Sequence, residues 1–162
     1  MRWIEDLRAE HARRERAELL QLHRERVGQV KRPVMWRELV SCVKTQINMQ
    51  RAMFAGTEIE IQCEPGGQAF TIRKSNFPCV TVNCQFSDER MIQIYFSYRP
   101  TDSAETLRWE DHIDFHVDEL DRVQFEHKGQ RLIDASEACL IVLLPIRDPL
   151  FRPPEGASPQ FP

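Results

Sequence analysis

His112-Ile113-Asp114-Phe115-His116-Val117-Asp118 alternates ionisable and apolar residues without a break. A strand sends successive side chains to opposite faces, so Ile113, Phe115 and Val117 turn toward a core while two histidines and two aspartates share the other face. A helix over 103–120 competes with this reading, because His112 and His116 would then lie one turn apart. Ile113, Val117 and Leu120 fit that helical stripe and Phe115 does not, whereas the alternating pattern accommodates every residue of the segment. Strand is therefore the expectation.

Upstream of this segment the same period of two recurs. Ile59, Ile61 and Cys63 alternate with Glu58, Glu60 and Gln62, and Glu64-Pro65-Gly66-Gly67 supplies a turn. Phe70 and Ile72 alternate with Thr71 and Arg73. Asn76-Phe77-Pro78 interrupts before Val80, Val82, Cys84 and Phe86, and a further run places Ile92, Ile94, Phe96 and Tyr98 against Gln93, Tyr95, Ser97 and Arg99. Residues 100–111 read as a loop, with Leu107 and Trp109 able to pin part of it. Downstream, a turn at 119–121 leads to a strand at 123–126, and a short strand at 130–133 is a candidate to complete the sheet. Short links between successive strands imply an antiparallel meander, here of five or six strands.

Helices flank this sheet in the sequence. Residues 2–30 are rich in helix formers and charges, with Glu10 placed three and four residues before Arg13 and Arg14. The apolar stripe Trp3, Ile4, Leu7 breaks at His11, Arg14, Glu15 and Glu18 before Leu22 resumes it, the mark of a helix that projects or docks at its ends. Lys31-Arg32-Pro33 is expected to end it, since proline favours the first turn of a new helix. The second helix, 34–54, carries Trp36, Leu39, Val40, Val43, Ile47 and Phe54 at core spacing, stops at Gly56, and uses Met49 and Met53 to fill gaps. Asp134, three residues before Glu137, resembles a capping box, so 135–144 reads as a helix on the sheet, with a strand as the alternative.

The expected fold is α+β: a projecting charged helix over 1–32, one domain over 33–146 with the antiparallel sheet and the C-terminal helix, and a flexible proline-rich tail over 147–162. One domain suits a chain of 162 residues. The net charge of −3 and the interleaving of arginines with glutamates on the first helix argue against nucleic acid as a partner. The longest apolar run, Ala138–Leu144, is too short to span a bilayer, so no membrane partner is expected. Five scattered cysteines suit reduced thiols, and with no apolar leader before the early charges the expected compartment is cytoplasmic.

For function, the sheet's polar face offers His112, Asp114 and His116, with Tyr95 and Asn83 on neighbouring strands, as candidate binding residues. Histidines four apart on a strand lie roughly 13 Å apart, too far to grip one zinc, whose nitrogen ligands sit at about 2.1 Å. The residue after His112 is Ile113, so the His-Glu-x-x-His zinc-protease pattern is absent, and Gly66-Gly67 matches no phosphate-binding loop. Cys79 alone is expected on the polar side, the other thiols on apolar faces. No cofactor, metal ligand set or catalytic residue is assigned. The leading reading is a non-enzymatic binding or interaction module whose partner is another protein or a second copy of the chain. The alternative is a small enzyme or a metal- or ligand-binding protein using His112, Asp114 and His116.

Overall fold

The computed structural model describes residues 1–54 and 56–160. Over these residues the chain is α+β, with seven antiparallel strands and two helices. The strands are β1 (Ile59–Cys63), β2 (Ala69–Lys74), β3 (Cys79–Ser87), β4 (Met91–Arg99), β5 (Leu107–Val117), β6 (Val123–His127) and β7 (Gln130–Arg131). They lie in the sheet in chain order, β1 to β7. The helices are α1 (Arg2–Met53) and α2 (Ala135–Arg147), which both contribute buried residues to the one core.

The expected pair of N-terminal helices is a single helix of 52 residues, about 78 Å long at 1.5 Å per residue. Pro33 lies inside it. A proline costs its helix about 3 kcal/mol, through the lost N–H bond and the clash with the carbonyl four residues back. That carbonyl belongs to Gln29, an exposed residue, where water can satisfy it. The buried stripe Gly28, Arg32, Trp36, Leu39, Val43, Ile47 runs in phase through Pro33, so a break would forfeit core packing on one side. Trp36 stacks on Phe70 and Phe86 with ring centroids 5.5 Å apart in each case. Its Nε1–H donates to the Gly67 carbonyl at 2.7 Å, which ties the helix to the β1–β2 turn.

The sheet has seven strands rather than five or six. Lys128 and Gly129, at φ 51° and 78°, form a tight turn that folds only Gln130 and Arg131 back onto β6, a strand too short to show a period. β5 begins earlier than expected, at Leu107, and Trp109 stacks on Phe96 at 4.9 Å. Residues 107–117 alternate except at Asp111, whose odd number places a carboxylate among the core-facing positions. The register sets Ile92 opposite Ile113 and Phe115 opposite Phe125, so the expected apolar residues do face the helices.

Asp134 caps α2 by accepting from the backbone N–H groups of Ser136 and Glu137, and Glu137 accepts from Ile133 N–H at 2.7 Å, so the return bond of the capping box is shifted to the residue before the cap. Beyond α2 the proline-rich tail runs back along β5. Phe151 stacks on Trp109 and meets Tyr98 edge-on, and Arg108 and Ser158 exchange backbone hydrogen bonds. No helix among the described residues is long and apolar enough to cross a membrane.

Candidate functional site

The alternation of β2 to β5 places Asn83, Tyr95, His112, Asp114 and His116 on the sheet face turned away from the helices, as their parity requires. Asn83 and Tyr95 are direct cross-strand partners, Gln93 faces His112, and Met91 faces Asp114. The residues share a face and divide into three separate groups.

Asn83 donates to Thr71 Oγ1 at 2.8 Å and accepts from Gln85 Nε2 at 2.9 Å, so both ends of its amide serve the sheet. His112 Nε2 lies 3.3 Å from Asp114 Oδ2, with both side chains about half exposed. His116 belongs to a third group built by β6 and β7. Arg131 Nη2 donates to His116 Nε2 at 2.8 Å, which requires that nitrogen to be the acceptor of a neutral ring. Nδ1 then carries the hydrogen and lies 3.8 Å from Glu126 Oε2. The Arg131 guanidinium thus occupies the Nε2 lone pair of His116. Among the described residues no three His, Cys, Asp or Glu side chains converge as a metal-ligand set.

Asp118, grouped by parity with the polar face, lies instead in the β5–β6 turn and is buried. Its Oδ1 accepts from the backbone N–H groups of Leu120 and Arg122 at 2.9 Å each, and its Oδ2 from Arg122 Nε at 2.7 Å. The Arg122 backbone bond, with its guanidinium and the Leu120 N–H, holds the Asp118 carboxyl below its ordinary range despite burial. The same turn anchors α1, for Asp121 meets His23 Nε2 at 2.9 Å and its carbonyl accepts from Lys31.

Between this turn and α1 lies a cavity of about 440 Å³ lined in part by Arg24, His116, Arg122 and Arg131. Sequence reasoning named His116 and missed the three arginines, because they come from α1, the β5–β6 turn and β7. It also missed a pair on the opposite face. His127 Nε2 lies 2.8 Å from Asp111 Oδ2, and the two side chains are only 16% and 20% exposed. The signal was present: Asp111 shares the parity of Ile113, and His127 that of Phe125, so both are polar residues on an apolar face.

Of the cysteines, Cys84 and Cys139 are buried, and burial raises both thiols. Cys79, on the polar side by parity, donates its thiol to the Ser75 carbonyl at 2.9 Å. Comparison with protein-family models, with curated proteins and with solved structures gives no match to this chain.

Proposed function

We propose that the chain is a non-enzymatic protein-interaction module that presents the first part of α1 as its docking arm. One observation carries this reading. Every residue from Met1 to His23 is exposed, including Trp3 at 65% and Leu7 at 55%, on a helix whose other half is packed into the core. Isolated helices are marginal in water, and a partner that covers this apolar tip would stabilise the arm. The full-length variant Ile4→Glu/Leu7→Glu tests it by light scattering over a range of concentrations. A mass above the monomer in the parent chain that falls to the monomer in the variant supports the arm as a self-association surface. A parent chain that stays monomeric throughout removes that form of the reading.

A second reading, small-ligand binding, is favoured by the cavity beside His116. Arg24, Arg122 and Arg131 outnumber Asp118 and Glu119 around one concavity, which suits an anionic ligand such as a carboxylate or phosphate ester. A thermal-shift screen of such anions, repeated on Arg131→Ala, tests it. A shift in the parent chain that the variant loses would support it, and no shift with any anion would leave it without standing.

A further inference from the structure

We infer that the partner of the arm is a second copy of the same arm, paired antiparallel in one register about a twofold axis. This rests on the arm reading above and adds its occupant and geometry. Ile4, Arg8, His11, Glu15, Glu18 and Leu22 follow one another at spacings of four and three in strict alternation. That spacing places them along one stripe, as the a and d positions of a coiled coil. All six are exposed, with Ile4 at 39% and Leu22 at 57%.

Antiparallel pairing with Ile4 opposite Leu22 of the second copy sets Arg8 opposite Glu18 and His11 opposite Glu15. By symmetry each layer occurs twice. The two outer layers are apolar on both sides, and the layers between join a basic residue to an acidic one. A parallel pair would instead stack Arg8 on Arg8 and Glu18 on Glu18, which is repulsive. This seam, which takes in Arg8 and leaves Trp3, Leu7 and Arg14 outside it, is self-complementary once the second helix runs the other way.

Two features of the structure fit this register. It keeps the paired stripe, Ile4 to Leu22, within the exposed residues 1–23 and ends it just before Arg24, the first half-buried residue of α1. Beside Leu22, where Ile4 of the second copy would enter, Glu18, Gln21, Leu22, Glu25 and Arg90 line an open cavity of about 460 Å³. With charged residues in the inner layers the association is weak and specific rather than tight.

Sedimentation equilibrium on the full-length chain, Arg8→Glu, Glu18→Arg and the double exchange Arg8→Glu/Glu18→Arg tests the inference, with far-ultraviolet circular dichroism confirming equal helix content. Each single exchange is expected to weaken the dimer by about tenfold or more, since symmetry doubles the affected pair, and the double exchange to restore it. A parent chain that dimerises while the double exchange fails to recover, or single exchanges without effect, overturns the antiparallel register and leaves the arm reading standing. A parent chain that is monomeric at every concentration overturns the pairing and, with it, the self-association form of the arm reading.

Discussion

Arg32 folds its guanidinium back over Gly28 inside α1, so that a Cβ at Gly28 would lie 2.6 Å from Nη1. This explains a glycine in the interior of a long helix, where it costs about 1 kcal/mol against alanine. Arg32 is 7% exposed, its Nη2 donates to Glu25 Oε1 at 2.9 Å, and its Nε has no hydrogen-bond partner among the described residues. The Arg32 hydrogen bond holds the Glu25 carboxyl below its usual range, against the opposing effect of burial.

The packing of Gly28 and Arg32 predicts strong coupling between them. In an Arg32→Ala background, Gly28→Ala should gain about 1 kcal/mol from helix propensity. In the parent chain the same change displaces the guanidinium and should gain nothing or destabilise. Urea denaturation of the four proteins measures the coupling, and additivity within about 0.3 kcal/mol would contradict the packing. Glu25→Ala alone should cost about 1–2 kcal/mol, because it leaves a buried cation short of its acceptor.

Asp118 sets an acid limit. A carboxylate whose folded pKa is depressed contributes stability that is present above its unfolded value, near 3.8, and is lost as pH falls through the lower folded value. Asp118→Asn keeps an oxygen for the Leu120 and Arg122 N–H groups and removes the charge facing the Arg122 guanidinium. The stability gap between parent and variant should therefore be largest at neutral pH and shrink in acid. A gap that is constant from neutral pH into the acid range would show that the charge contributes nothing.

The Asp111 and His127 pair should behave as a unit. Asp111→Ala or His127→Ala alone leaves one shielded polar group unpaired, at a cost of about 1–3 kcal/mol. The double variant should cost less than the sum of the two. Equal single and double effects would confirm the pair, and strict additivity would sink it.

Thiol labelling separates burial classes. Cys63 is exposed and should react quickly with a colorimetric disulfide at mildly alkaline pH. Cys139, pushed up to about 12 by burial first and its neighbour Cys42 second, should stay unreactive until the chain unfolds, and so should Cys84. Rapid modification of Cys139 in the native protein would refute the packing of α2 on the sheet.

Much of the architecture was readable from local pattern. A period of two fixes which residues of β1 to β4 face the helices whatever the neighbouring strands do, and Asp134 with Glu137 marks the start of α2 through chemistry confined to one turn. What escaped depends on distant parts of the chain. Pro33 looks like a terminus until the stripe from Gly28 to Ile47 is seen to share one core. Asp118 has the parity of a strand residue, yet backbone N–H groups two and four residues on draw it into a turn. The groups around His116 escaped for a similar reason, since Arg24 lines its cavity from α1 and Arg131 reaches it from β7.

The strand order has a consequence for how the molecule assembles. Because each strand pairs with its neighbour in sequence, the sheet closes through a series of short loops, each with a small entropic cost. The two helices that pack against it come from opposite ends of the chain. The side of the sheet bearing Ile72, Val82 and Ile94 thus gains its full cover only once residues 135–147 arrive, long after α1 has been made. During synthesis the stripe on α1 from Trp36 to Ile47 can meet β2 and β3 first, and α2, the later of the two helices, completes the interior.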